Sequence, residues 1–391
     1  MRNPVVMAFK KIIGKLHLWL GLISGVLVVF LGITGCLLAF EKEIRNLTES
    51  YQFVEKQNKP YLPPSQLKAI ALKHLDGRPV VGLEYGSPGK AAFAAYYDTV
   101  AYTIVAMNPY TGEVLKVKDM TKDFFRIVLR GHFYLWLPPA IGRPIVGSAT
   151  LVFLIMLISG IVLWWPKNKA AIKQRFSIKW NAKWRRVNYD LHNVLGFYMS
   201  WIGIFLAITG LVWAFDWFAD ATYFATSGGR KRPPHEHPVS NPKIPGNTDQ
   251  VADQLWAAHL ANMSEKESIT VFYPVTETDP LEMGVNHRPG TYYKVDYYHY
   301  DRYSGEELPA TGSYAGGFDE ASLADKLVRM NYDIHVGAIL GLPGKFLAFF
   351  GSLIAASLPV TGFLLWRGRR KKKAKTHNAA DIGLSMTPVV L

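Results

Sequence analysis

The chemistry open to this chain rests on histidine. Of 11 histidines in 391 residues, four fall at two pairs of matched positions: His17 and His192 each open a long apolar run, and His132 and His335 each lie shortly before another. Counted from His17 come Leu20, Gly21, Thr34, Gly35 and Phe40; counted from His192 come Leu195, Gly196, Thr209, Gly210 and Phe215 at the same offsets. Arg126 and Arg329 each stand six residues ahead of the later histidines. A twofold relation between such copies sets the members of each pair on opposite sides of one central point. Two imidazoles placed that way suit a metal held in a flat macrocycle, and haem iron accepts imidazole from both faces without any cysteine. The single cysteine, Cys36, excludes an internal disulfide, a CxxCH haem attachment and a Cys-rich zinc or iron–sulfur site. Zinc suits less well, because each pair offers two histidines and no intramembrane carboxylate completes a tetrahedral set.

Cations repeat alongside the histidines. Lys10-Lys11 and Arg185-Arg186 precede His17 and His192 by seven and six residues; together with Arg126 and Arg329 they give each pair a partner for haem propionates. On the inner side, membrane topology explains the same cations equally well. A single histidine at a membrane-helix end also has a plainer role, as a polar ring reaching the interface. Gly21, Gly35, Gly196 and Gly210 allow close approach of either a planar ring or a neighbouring helix.

The elements that must position these residues cross a membrane. Only 19% of residues are charged, below the roughly 25% of soluble domains. Apolar runs at 16–40, 144–165, 191–215 and 346–366 each reach the length a bilayer core demands. The first has a basic flank like a signal peptide, yet it is too long for an h-region and lacks an A-x-A site, so it reads as retained. Residues 1–15 hold four basic residues, 166–189 hold eight and 367–375 hold seven, with no acidic residue in any of the three. That excess places both termini and the middle loop in the cytoplasm, and the mixed-charge segments outside. The net charge of +14 is thereby a topology signal, not a nucleic-acid surface. The expected layout is a cytoplasmic N-terminus and first helix (1–40), an external α+β module (41–143) and a second helix (144–165). A basic cytoplasmic loop (166–190), a third helix (191–215), a second external module (216–345), a fourth helix (346–366) and a basic tail (367–391) follow.

The second and fourth runs correspond too. From Gly142 come Ser159, Gly160, Leu163 and Trp164; from Gly344 come Thr361, Gly362, Leu365 and Trp366. Outside, Asn108-Pro-Tyr-Thr-Gly-Glu matches Asp301-Arg-Tyr-Ser-Gly-Glu, each suited to a turn between strands. Alternating β-rich sequence precedes each turn, and further back lies a short amphipathic helix ending at His74-Leu75 or His259-Leu260. The fold class expected is a polytopic α-helical membrane protein. Its four transmembrane helices form two tandem pseudo-twofold repeats, related along the membrane normal and each carrying an inserted small α+β module. Segment 226–248 has no counterpart and reads as a loop. Residues 137–144 and 341–345 are too rich in proline and glycine to continue a straight helix, so the chain should turn back there and lower His132 and His335 to the interface.

The doubled patterns LHxxLG…TG…F and H…[ST]GxxLW, with the doubled turn, resemble the PepSY-associated transmembrane family of bacterial inner-membrane proteins. Within it they resemble the iron-regulated ferric-siderophore reductases, over about residues 10 to 372. The resemblance implies PepSY-like periplasmic modules, two b-type haems per chain with bis-histidine ligation, and a location in the inner membrane. It also implies electron passage from an unidentified cytoplasmic or membrane donor to ferric iron in a siderophore or other chelate. His17 and His192 then hold an inner haem and His132 and His335 an outer one, and two haems at opposite faces relay one electron at a time. Candidate substrate surfaces are Tyr293, Tyr297 and His299 in a tyrosine-rich strand, and His235 and His237 in the loop; cross-strand packing and a solvated loop are the plainer readings. Two other classes remain. A siderophore permease would show broken helices and intramembrane charge, which these runs lack. A non-catalytic anchor binding a peptide or protease would leave the histidines without a role.

Overall fold

The computed structural model describes residues 4–166, 172, 175–234, 236 and 238–384. In chain order the elements are α1 (Pro4–Ala39), α2 (Glu41–Thr48), α3 (Pro64–Leu72), β1 (Gly82–Tyr85), β2 (Ala92–Tyr97), β3 (Tyr102–Met107), β4 (Val114–Asp119), α4 (Phe124–Tyr134) and α5 (Pro139–Trp164). Next come α6 (Trp184–Ala214), α7 (Asp216–Thr226), α8 (Thr248–Asn262), β5 (Ser268–Phe272), β6 (Leu281–Asn286), β7 (Val295–Tyr300), β8 (Glu307–Leu308), α9 (Leu323–His335) and α10 (Leu342–Leu384). They divide into a helical unit, drawn from Met1–Ala39, Gly131–Ala214 and Phe346–Leu391, and a sheet unit, drawn from Phe40–Arg130 and Phe215–Lys345.

In the helical unit, Met7–Ala39, Pro139–Trp164, Trp184–Ala214 and Leu342–Arg370 are long and apolar enough to cross a membrane. Each begins before the apolar run that marks it in the sequence, because a helix continues into polar flanks where its backbone bonds are still made. Pro139 opens α5 at a position where a missing N–H is harmless. α5 packs against α1 and α6, and Leu157, Met199 and Ala355 bury an apolar knot where α5, α6 and α10 meet. Gly32 permits the close approach of α1 and α10: a Cβ there would stand 2.7 Å from the carbonyl oxygen of Ser352. Between α4 and α5 the chain reverses through Leu135 and Trp136, whose φ angles are 54° and 58°. Between α9 and α10, Gly337 and Gly341 interrupt the helix with φ of 77° and 66°.

The sheet unit departs from two separate modules. Its eight strands form one antiparallel sheet in the order β4-β3-β2-β1-β5-β6-β7-β8. The halves are joined where β1 pairs β5, from Gly82↔Phe272 to Tyr85↔Ile269. One face carries Leu83, Tyr85, Val105, Met107, Ile269, Val271, Leu281 and Met283, all buried against Leu67 and Ala71 of α3 and Val251, Ala252 and Trp256 of α8. The two covering helices are tied to each other by Ser65 donating to Asp253 at 2.5 Å and by Lys68 to Asp249 at 2.6 Å.

The doubled turn motif is accounted for atom by atom. Asn108 Oδ1 accepts from Tyr110 N–H at 2.9 Å, and Asp301 Oδ1 accepts from Tyr303 and Ser304 N–H at 2.9 Å each. Gly112 and Gly305, at φ of 76° and 75°, return N–H groups to Asn108 and Asp301 carbonyls at 2.9 and 2.8 Å. Between α7 and α8, the described residues hold no helix or strand.

Candidate functional site

His17 of α1 and His192 of α6 line one cavity of about 390 Å3 inside the helical unit. Each ring is held from a different helix. His17 Nδ1 lies 2.8 Å from Ser159 Oγ on α5, and His192 Nδ1 lies 2.9 Å from Thr361 Oγ1 on α10. With Nδ1 engaged, the nitrogen left for a ligand on each ring is Nε2. The glycine after each hydroxyl residue leaves room for the ring: a Cβ at Gly160 would stand 3.5 Å from His17 Cε1, and one at Gly362 would stand 3.2 Å from His192 Cε1. Gly21 and Gly196 also line the cavity, so the doubled glycines open space at this site as well as between helices.

His132, on α4, is held the same way. Its Nδ1 lies 2.8 Å from Thr34 Oγ1 of α1, and a Cβ at Gly35 would stand 3.7 Å from His132 Cε1. The helix break at Leu135 and Trp136 falls just before the proline-rich stretch, and residues 139–144, expected to interrupt the helix, instead open α5. His335 closes α9 in the sheet unit, so the two later histidines belong to different units.

The cations fall differently from their sequence pattern. Arg186 forms a two-pronged pair with Asp190 at 2.9 Å on both prongs, Lys10 Nζ reaches the carbonyl of Trp165 at 3.5 Å, and Lys11 and Arg185 are exposed. The arginines on the cavity wall are instead Arg175 and Arg369. Sequence reading counts both only toward the cytoplasmic charge excess, and no spacing singles them out.

Arg126 and Arg329 stand at matched positions but do different things. Arg126 is exposed, with its guanidinium 5.2 Å from the Tyr102 ring. Arg329 is fully buried and donates to the carbonyls of Ser313, Ala315 and Gly316 at 2.8, 2.9 and 3.0 Å. Three of its donors thus close a loop, while Nη1 lies 3.8 Å from Asp296 Oδ1 without a hydrogen bond.

Among the substrate candidates, Tyr293 is buried. Its hydroxyl accepts from Arg288 at 2.9 Å, its N–H donates to Asp333 at 2.8 Å, and its ring meets Phe318 edge-on at 5.0 Å. The exposed neighbour is Tyr292, 62% accessible. Along β7 the side chains alternate: Tyr298 and Tyr300 turn to the packed face, with Tyr300 hydroxyl 2.8 Å from His259 Nε2, while Tyr297 and His299 turn away. Burial pushes the Tyr297 hydroxyl up to about 12, with the charge of Glu282 acting the same way. His299 is buried with Nε2 3.2 Å from Glu282. These contacts are mostly cross-strand packing. His235 and His237 lie outside the described residues.

The cavity in the helical unit brings together two imidazoles from different helices. It offers two imidazoles with Nε2 available, glycine-lined walls and two arginines suited to carboxylates. None of the curated proteins compared with the chain matches it. Nearly the whole chain, residues 15–369, matches the family described as PepSY-associated TM region, and the protein belongs to that family.

Proposed function

We propose that the protein is a haem-dependent ferric-chelate reductase of a bacterial inner membrane, with both termini cytoplasmic and the sheet unit periplasmic. In this reading the helices are two tandem copies related by a pseudo-twofold axis along the membrane normal. One observation carries it: two imidazoles from repeat-equivalent positions face one glycine-walled cavity with their Nδ1 atoms already engaged. His17 and His192 would hold an inner b-type haem, and His132, in the helical unit, would be a ligand of an outer one. Bound haem supplies one-electron chemistry, since its iron cycles between two oxidation states without proton transfer. The chain's residues do the rest. The imidazoles would fix the ligand, Arg175 and Arg369 on the cavity wall would be placed for its carboxylates, and the apolar walls would limit water at the site.

The substrate is ferric ion in a siderophore or similar chelate. It takes one electron from the periplasmic side and is released as ferrous ion, and the electron is replaced by a cytoplasmic or membrane donor. The experiment is reoxidation: protein reduced with dithionite and freed of reductant is mixed with a ferric chelate under anaerobic conditions. The expected result is loss of the reduced haem bands with stoichiometric ferrous ion trapped by a ferrous-specific chelator. A reduced protein that ferric chelates leave unchanged would refute the activity.

A further inference from the structure

Resting on that haem reading, we infer that the hydroxyl–glycine pairs Ser159-Gly160, Thr361-Gly362 and Thr34-Gly35 are positioning devices, which choose the nitrogen each imidazole presents and the angle at which the ring stands. The choice follows from where the hydroxyl proton goes. Thr361 Oγ1 donates to the carbonyls of Ser357 and Leu358 at 3.1 and 3.0 Å. Thr34 Oγ1 donates to those of Phe30 and Leu31 at 2.9 and 3.1 Å, and Ser159 Oγ to that of Met156 at 3.1 Å. A hydroxyl has one proton, and in each case its own helix takes it. The oxygen is left only to accept, so the imidazole Nδ1 must carry the proton and Nε2 the lone pair. In a helix bundle without water, an Nδ1–H lacking its acceptor would be costly, which holds the ring in that tautomer.

The glycine that follows sets the angle. In all three pairs the nearest ring atom to the missing Cβ is Cε1, at 3.5, 3.2 and 3.7 Å. At Gly362 the added Cβ would also stand 3.8 Å from Nδ1, so a side chain there would crowd the ring edge that meets the Thr361 hydroxyl, whereas at Gly160 and Gly35 it would only touch the ring. One residue thus orders the proton and the next lets the ring pack closely against its helix. The same device appears on α5, α10 and α1, which explains why [ST]G recurs where helix packing alone would accept any small residue. A neutral hydroxyl also makes the imidazole less electron-rich than a carboxylate partner would, a choice that bears on how strongly the ferric state is favoured.

The test uses full-length detergent-purified protein and reads each centre's midpoint potential and low-temperature EPR anisotropy, which reports the ring planes. The inner centre is the one lost in His17→Ala. Ser159→Ala and Thr361→Ala should raise the inner midpoint, alter its EPR signal and weaken haem retention by about 10–100-fold, with the outer centre unmoved. Thr34→Ala should do the same to the outer centre alone. Ser159→Thr and Thr361→Ser, which keep the hydroxyl, should keep the parent potential. Alanine variants that bind haem with the parent's inner potential and EPR signal would overturn the inference, as would Ser159→Thr behaving like Ser159→Ala. A purified parent protein without haem would instead overturn the reading beneath it, before any variant is made.

Discussion

Buried polar side chains do different work in the two units. In the sheet unit they satisfy backbone and join layers. Arg329 closes a loop through three carbonyls, Asp333 takes the N–H groups of Tyr292 and Tyr293 at 2.8 Å each, and Asp123 gathers Arg45 and Lys118. In the helical unit the backbone already satisfies itself, so a buried hydroxyl is surplus to folding. There Ser159, Thr361 and Thr34 reach across to imidazoles on other helices. Not every such group does so: buried Asp190 pairs with Arg186 and buried Asn188 donates to the Thr361 carbonyl, so within the helical unit it is the hydroxyl–imidazole contacts that mark the site.

The comparison can be broken by substitution, beginning with the all-or-none case. His192→Ala should remove one of two haems per chain while strand amides of the sheet unit keep their hydrogen-exchange protection; loss of that protection would mean the histidine serves the fold. Asp123→Ala should do the reverse. It removes a carboxylate that is 5% exposed and that Arg45 and Lys118 hold well below the usual carboxylate range against the opposing effect of burial, leaving both cations on Glu49. The expected loss is about 1–3 kcal/mol of sheet-unit stability with haem content unchanged. Gly112→Ala should cost about 1–2 kcal/mol from its left-handed backbone alone, plus the overlap of the new Cβ at 2.4 Å from Ile70 Cδ1. Gly305→Ala should cost less, since its Cβ would stand 3.3 Å from Val251. Equal losses in exchange-derived stability would contradict this difference between the two turns.

The smallest effect is on pH. Burial lowers the affinity of His287 for a proton, but hydrogen bonds to Glu267 at 2.7 Å and Asp296 at 3.0 Å outweigh it and raise its value above the usual 6.5. A raised folded value means the clamp's contribution is full below pH 6.5 and fades as pH rises through the raised value. The melting temperature of the sheet unit should therefore decline modestly on the alkaline side, and His287→Gln should flatten that slope. The helical unit, whose imidazoles are held by hydroxyls, should show no matching trend in haem retention.

What the sequence disclosed was what is local in it. The four membrane runs and the turn at Asn108 and Asp301 are each written in consecutive residues, so composition and spacing reveal them. The β1–β5 pairing that fuses the two modules is not, because Glu84 and Thr270 face each other across nearly half the chain with no side-chain mark of the partnership. The candidate site divides along the same line. The histidines recur visibly, and so do Ser159-Gly160 and Thr361-Gly362, but spacing along α5 and α10 cannot say that a hydroxyl on one helix meets a ring on another. Matched spacing does not fix the environment: Arg126 and Arg329 share an offset, yet Arg329 clasps a loop and Arg126 is exposed. Arg175 and Arg369 reach the cavity from stretches whose charge density hides any single residue.

The central claim is that the rings in the helical unit hold haem. A reduced-minus-oxidised absorption spectrum of the purified full-length protein, with haem counted per chain, tests it most directly. Low-spin b-type bands and two haems per chain are expected, falling to one in His17→Ala; a folded, membrane-extracted protein with no such bands and no extractable haem would contradict haem binding.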